Sequence, residues 1–565
     1  MRPTADATHP TTPGRRKKWR RIAAALAVVL AVGAWGARTA ILHLSAARSA
    51  YAPLAPGNYK VPAERSLPWR EQSELTTQIL EGWASHPLGD WKTEGKIAAP
   101  RALLARMATR RDLDAANSYL MQQEPWGNAG STWGLHPEGD FDFTMAALVP
   151  ILFLYGDQPA VLYPQARDRL LNTLLPLEGG EALEKVPRTL GLVPDTENHL
   201  LMTEGSRYLK NRWLALNGSD LAKHDNLANG LEKWLLKLIK GMQAAGLYEF
   251  NSIPYEGYTL IALLNLEAFG SQAVQSAARQ LLDQLNWNYA IGSLGLRRFP
   301  PFRRQYEHAD DTSLNGDRHV ALMAAWTSLL PDGPSEAKLP GSRHIAIWAC
   351  WAPYRLPDKT AQWLLGTPTD YFARIGHGRD GSPELYSGGP GYLLSAGGVN
   401  RGERSLLVAR PITLLLDDGA TDLSQLLHLA GPGGDFRHWN NTGVWKNVAV
   451  AAGPVHVPDG WQPAATTELW SVFQCSQSLC AAVHSRPDLG VVHLIESSDP
   501  DEVLASLTEH NSDAERLRHS LLTSDGAAVS YDPHAPQDLW VITHIDNQPV
   551  DRRFDTWPRL DMTTD

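Results

Sequence analysis

Pro331-Asp332-Gly333-Pro334-Ser335-Glu336 is where the hydrophobic period of this chain changes. Prolines and a glycine packed so closely end a helix: proline lacks the amide hydrogen and clashes with the preceding turn, and glycine loosens the backbone. Upstream, apolar residues recur at helical spacing, as in Leu103-Leu104-Ala105-Arg106-Met107, in Leu231-Glu-Lys-Trp-Leu-Leu-Lys-Leu-Ile239 and in Leu281-Leu282-Asp283-Gln284-Leu285. Downstream, short runs suit strands: His344-Ile-Ala-Ile-Trp348, Tyr392-Leu-Leu-Ser-Ala396, Ser405-Leu-Leu-Val-Ala409, Val491-Val-His-Leu-Ile495 and Leu539-Trp-Val-Ile-Thr-His544. The pattern predicts an α+β multidomain chain. A ring of helical hairpins, an α/α toroid, is expected over 69–335, and an antiparallel β-sandwich over 340–565.

The N-terminus has a third character. Residues 1–21 end in the basic cluster Arg15-Arg16-Lys17-Lys18-Trp19-Arg20-Arg21, residues 22–44 are mainly apolar, and residues 45–68 are rich in Pro and Gly. This order reads as a basic cytoplasmic tail, a single transmembrane anchor or signal segment, and a linker. Positive charge stays inside, so the expected location is a bacterial-type inner membrane, with the body in the periplasm or outside the cell. Arg38 interrupts the apolar run at its far end, where a long side chain can snorkel to the interface, which favours an anchor.

Composition narrows the partners. The 565 residues carry 52 Lys plus Arg against 61 Asp plus Glu, a net charge of −9, which argues against nucleic acid. No His-Glu-x-x-His, P-loop, Gly-x-Ser-x-Gly or Cys-x-x-Cys motif occurs, so a zincin, an NTPase and a serine-esterase elbow lack support and no cofactor is expected; His308-Ala309-Asp310-Asp311 reads as a loop salt-bridge network, with a divalent-cation site as the alternative. The 20 Trp suit stacking platforms for sugar rings as well as cores. Of three cysteines, Cys475 and Cys480 are close enough in an exported chain to close a small disulfide loop, while Cys350 reads as a core thiol.

Polar and aromatic residues concentrate in three segments of the helical half. The first, Trp133-Gly-Leu-His136-Pro-Glu138-Gly-Asp140-Phe-Asp142-Phe-Thr144, offers Trp133 as a platform and Asp142 beside a helix start. In the second, Pro194-Asp195-Thr196-Glu197-Asn198-His199, Asp195 is placed to cap a helix. Glu197, Asn198 and His199 then fall in its first turn, where free amides and the helix dipole favour an anion. Arg207, eight residues after His199, adds a cation farther along that face. The third, Tyr248-Glu249-Phe250-Asn251-Ser252-Ile253-Pro254-Tyr255-Glu256-Gly257-Tyr258, brings two phenols to another helix mouth, with Asn251 or Ser252 as its cap and Pro254 near its first turn. Phenols can move protons when a cation lies close, and Arg304 and His308 in the later run Arg297–Asp311 are candidates to assist. Each segment also has an ordinary structural account, as loop, dipole complement or packed aromatic. Arg437-His438-Trp439-Asn440-Asn441 in the strand half reads either as a loop reaching the cleft or as domain packing.

Glu197-Asn198-His199 opening one helix, Asn251-Ser-x-Pro-Tyr255-x-x-Tyr258 opening the next, and Ser387-Gly-Gly-Pro-Gly-Tyr-Leu-Leu-Ser-Ala-Gly-Gly in a strand region resemble the toroid-plus-sandwich polysaccharide lyases, that is, the alginate, glucuronan and heparinase II/III-like lyases. The resemblance covers residues 70–560 in architecture. It implies that Asn198 and His199 neutralise a uronate carboxylate and that Tyr255 or Tyr258 transfers the proton. Glu197 departs from relatives that carry Asn or Gln there; an ionised Glu repels a uronate unless it is protonated or paired with an arginine. The implied activity is β-elimination on an acidic polysaccharide, in which donors on the carboxylate stabilise the developing enolate and a base reaches the C5 proton. Two other readings stand beside it. One is a glycoside hydrolase on the same toroid, which needs a carboxylate pair from among Glu197, Glu204, Glu249, Glu256, Asp140, Asp142, Asp310 and Asp311. The other is a catalytically dead, membrane-tethered glycan-binding scaffold.

Overall fold

The structure, a computed structural model, describes residues 13–46, 73–91, 98–125, 141–186, 189, 192–304, 306–331, 333, 345–377, 383–397, 407–408, 410–431, 442–536, 538–557 and 559–564. The linker expected at 45–68 falls almost entirely outside these, as do Trp133 and Arg437–Asn441. The first helix, Pro13–Ala46, contains a stretch, Lys18–Arg38, that is long and apolar enough to cross a membrane and of which nothing is buried.

Helices fill the chain from Glu74 to Leu365 and share one apolar core. Asp142–Tyr155, Glu256–Phe269 and His319–Thr327 are buried on every side, so their apolar residues run on without a polar face. Around them lie helices with one wet face, among them Glu74–Ser85, Leu231–Ala245 and Gln272–Ile291. Helix Glu256–Phe269 packs between Glu197–Leu216 and Gln272–Ile291, which brings the second and third polar segments side by side. The strand expected over 344–348 is instead part of a helical stretch, Ile347–Trp351. Ile345 to Trp351 are buried all round against Glu74–Ser85, and a short run buried on every side has no period that separates strand from helix. A further helix, Asp358–Leu365, follows, so among the described residues strands begin at Tyr371, apart from the two-residue strand Phe302–Arg303, which pairs with Leu407–Val408.

Beyond that point the sheets are antiparallel. Seven strands run in the order Val455–His456, Leu427–Leu429, Ile412–Leu416, Tyr392–Gly397, Glu384–Gly389, Tyr371–Ile375 and Leu560–Thr564, the C-terminal strand returning to the edge. A second sheet of six is centred on the hairpin Leu479–Arg486 and Leu489–Glu496, and a third of four ends at Gln548–Pro549. The central strands of the seven-stranded sheet, Glu384–Gly389, Tyr392–Gly397 and Ile412–Leu416, are buried on both faces. Leu385, Leu394, Ile412 and Leu414 share a core with Val450, Val483 and Val492 of the six-stranded sheet, while Tyr386, Leu393 and Leu415 pack on Ile291, Phe299 and Leu314 of the helical half. That double burial is why Tyr392–Ala396 reads as an almost unbroken apolar run.

Two features seal the joint between the halves. The Tyr371 hydroxyl donates to the Ile291 carbonyl at 2.7 Å, and Tyr386 lies so close to Gly292 that a Cβ there would sit 2.5 Å from its ring. Gly292→Ala is therefore expected to destabilise the chain by about 1–3 kcal/mol, the usual cost of overpacking, read as a lower urea midpoint with an unchanged slope.

Candidate functional site

Four pieces of the helical half meet at the start of helix Glu197–Leu216. Asp142, in the first turn of Asp142–Tyr155, sets its Oδ2 3.0 Å from His199 Nδ1, and Asp195 Oδ1 lies 3.8 Å from the same nitrogen. Phe143 packs its ring edge-on against His199 at 5.5 Å and against Tyr258 at 4.2 Å. The Tyr255 ring is 6.4 Å from that of His199. Arg304 covers Tyr255 with its guanidinium 4.5 Å from the ring centroid, donates to Thr196 Oγ1 at 3.0 Å and forms an ion pair with Glu249. A carboxylate on Nδ1 favours the Nδ1–H tautomer of His199, which leaves Nε2 as the ring's other polar atom.

Asn198 is fully buried, with its Oδ1 accepting from the His199 amide at 2.8 Å and from the Thr196 hydroxyl. Its Nδ2 has no acceptor among the described residues, and a buried donor left in that state costs about 1–3 kcal/mol. Glu197 accepts the Glu249 amide at 2.6 Å. Burial, then the neighbouring Glu249 charge, pushes the Glu197 carboxyl up to about 8. Burial raises the Glu249 carboxyl too, against the pull of Arg304, whose own charge burial opposes and Glu249 sustains. With the arginine on Glu249, the proton belongs on Glu197. The departure that an ionised Glu197 would present to an anionic sugar is thereby removed by its surroundings.

The local backbone differs from the caps expected in two places. Helix Glu197–Leu216 has Thr196 rather than Asp195 at its N-cap; Asp195 accepts from the Thr196 amide and turns toward His199. Helix Glu256–Phe269 starts after Tyr255, and neither Asn251 nor Ser252 caps it with a side chain. Asn251 instead takes the left-handed conformation, at φ 52°, which Asn tolerates better than most residues. Its Nδ2 donates to the Pro301 carbonyl at 3.1 Å and to Glu384 Oε2 at 2.5 Å, and its Oδ1 accepts from Arg298. Glu384, on a strand of the seven-stranded sheet, is also held by His377 at 2.5 Å and by the Tyr386 hydroxyl.

Asp142, Glu197, Asn198, His199, Tyr255 and Arg304 thus come together. Tyr258 lies beneath them, 2% exposed, behind Phe143 and under the Arg318 guanidinium. Arg207 lies apart: it donates to the Glu181 carbonyl and sits 3.4 Å from Glu204. His308 ends a short 3-10 turn, and its carbonyl accepts from Arg410 at 3.4 Å. Trp133 lies outside the described residues. Cys475 and Cys480 are unlinked thiols. Gln474, not Cys475, stands opposite Cys480 in the hairpin, and an offset of one residue sends side chains to opposite faces of a sheet. In the sequence Glu249 is one of eight interchangeable carboxylates, and nothing local marks Thr196 or Glu384 as site neighbours. Adjacency to Tyr248 and Phe250 was the one signal for Glu249; Glu384 has none, because its partners come from the other half of the chain.

No protein-family model matches this chain, and no curated protein does.

The Glu197 carboxyl lies above the ordinary value of 4.5 in the folded state, so it favours folding in its protonated form. Its contribution is complete below about 4.5 and is lost as pH rises through about 8. Glu197→Gln, which keeps the acceptor for the Glu249 amide, is expected to flatten the fall in urea midpoint between pH 5 and pH 9 and to exceed the parent in stability at pH 9.

Proposed function

We propose that this chain is a membrane-anchored lyase that cleaves an acidic, uronate-containing polysaccharide by β-elimination, with its body exported and its helical half built as an α/α toroid backed by a β-sandwich. The observation that carries the reading is the meeting of Asn198, His199, Tyr255 and Arg304 at one helix start. Fully buried inner helices surrounded by half-wet outer ones support the toroid. The apolar stretch Lys18–Arg38, with its basic flank on the N-terminal side, supports the anchor and the direction of export.

In this mechanism the ring of His199 grips the sugar carboxylate and Asp142 fixes the orientation of that ring, while the fully buried Asn198 holds the helix start through its Oδ1, which accepts from the Thr196 hydroxyl and the His199 amide. Withdrawing the carboxylate charge makes the C5 proton removable. Tyr255 takes that proton and returns one to the leaving oxygen when both lie on the same face of the sugar. Arg304, stacked on the phenol, places positive charge where the phenolate develops. Tyr255 is preferred over Tyr258 because it is only half-buried and carries Arg304, whereas Tyr258 is sealed behind Phe143.

One observation favours a second reading, a glycoside hydrolase: Glu197, protonated beside Glu249, resembles a general acid next to a carboxylate. Incubating the full chain with a panel of uronate polymers and neutral glucans separates the two. Ultraviolet absorbance from an unsaturated uronate end is the expected result; new reducing ends without absorbance would establish the hydrolase. For the lyase, Tyr255→Phe is expected to lower turnover by about 10²–10⁴-fold, the scale of a lost proton-transfer group. Tyr258→Phe is expected to keep most of it.

A further inference from the structure

The far end of the first helix touches the body. Arg38, the last residue of the apolar stretch, donates from Nη2 to Glu181 Oε1 at 2.8 Å. Both side chains stay more than half exposed, so the pair contributes little energy. Its value is positional: twenty-one helical residues rise about 30 Å, the thickness of a bilayer's hydrocarbon, which puts Arg38 and hence Glu181 at the membrane surface.

Around Glu181 the body exposes apolar side chains that its core does not use. Outside the first helix, seven large apolar residues are exposed among the described residues: Met121, Leu192, Val193, Leu216, Leu221, Leu227 and Leu365. Five of the seven fall in 192–227, with Leu192 at 65% and Leu227 at 77% exposure. Scattered surface leucines need no explanation, but a concentration does. The segments that bear them adjoin Glu181: Lys223 pairs with Glu178, and Gly180 lies so close to Asn229 that a Cβ there would come within 2.4 Å of it. The hairpin carrying Leu192 and Val193 is closed by the Val186 amide on the Val193 carbonyl at 3.0 Å. Trp234 ties its base to helix Leu231–Ala245 through Glu184 at 2.6 Å, and that helix turns Lys233 and Lys237 to solvent. Leucine, tryptophan and lysine together are the composition of a surface that enters a headgroup layer.

We propose that this strip, Leu192-Val193 with Leu221 and Leu227, docks on an anionic lipid bilayer, the apolar tips entering the headgroup boundary and Lys233 and Lys237 meeting lipid phosphates. The proposal rests on the reading of the first helix as a retained anchor. It has a consequence for the candidate site: the docked hairpin runs directly into Asp195, 3.8 Å from His199, so that corner is held beside the membrane.

The test uses the full chain in nanodiscs of mixed zwitterionic and anionic lipid. With Cys475→Ser removing the half-buried native thiol, an environment-sensitive dye is placed through Leu192→Cys, Leu227→Cys or, as a control off the strip, Leu365→Cys. Blue-shifted emission quenched by spin-labelled lipid is expected at 192 and 227 and not at 365. Emission at 192 and 227 that matches 365 overturns the docking. Concentration-dependent burial of the labels without lipid quenching overturns it in favour of a second copy of the chain. Hydrogen exchange on the unsubstituted chain guards against misfolded variants: slowing over 184–195 and 217–230 on moving from micelles to nanodiscs supports the docking, and unchanged exchange overturns it. Alkaline carbonate extraction tests the anchor separately, since release of the chain defeats the anchor reading, whereas a retained chain with unquenched labels defeats docking alone.

Discussion

Asn251 is the residue on which the arrangement turns. Its left-handed backbone bends the segment between Leu231–Ala245 and Glu256–Phe269, and its side chain is spent on the Pro301 carbonyl, Arg298 and Glu384 rather than on capping a helix. Two residues before it, Glu249 reaches the site; four after it, Tyr255 does. The Arg303 amide bonds the Phe250 carbonyl at 3.1 Å, which delivers the adjacent Arg304 to Glu249 and Tyr255. One short polar knot therefore joins the helical half, the seven-stranded sheet and the site corner.

The knot and the site use buried charge in the same way. Isolated ions cannot be buried cheaply, so each is met by a partner or gives up its charge. Glu384 has His377, Asn251 and the Tyr386 hydroxyl; Glu249 has Arg304; Glu197, with an amide but no cation of its own, keeps its proton. Removing any one cation would leave a charged group unmatched in a low-dielectric region, which makes the corner both specific and sensitive to pH.

Much of this was open to inspection in the linear chain. The apolar stretch after the basic cluster and the helix opened by Glu197-Asn198-His199 are local signals that the structure follows, whereas the break at Pro331 falls short of the change to strands, since helices continue to Leu365. Failures occurred where neighbours from afar decide. Ile347–Trp351 is helical, and burial on all sides erased the period that would have shown it. Asn251 looks like a cap and acts as a bridge because Glu384 lies 133 residues away. Cys475 and Cys480 are near in number, yet the hairpin register sets Gln474 opposite Cys480.

By itself the amino-acid order determined most of the helical and extended segments, where the chain turns greasy enough for a bilayer, and which polar clusters open helices, because those properties depend on residues within a turn or two. Only the tertiary structure decided that Tyr255 rather than Tyr258 borders the corner, that Arg304 serves Glu249 and so leaves the proton to Glu197, and that Arg207 belongs to another place. Those outcomes depend on which groups share a low-dielectric space, and that is set by packing between segments tens to hundreds of residues apart.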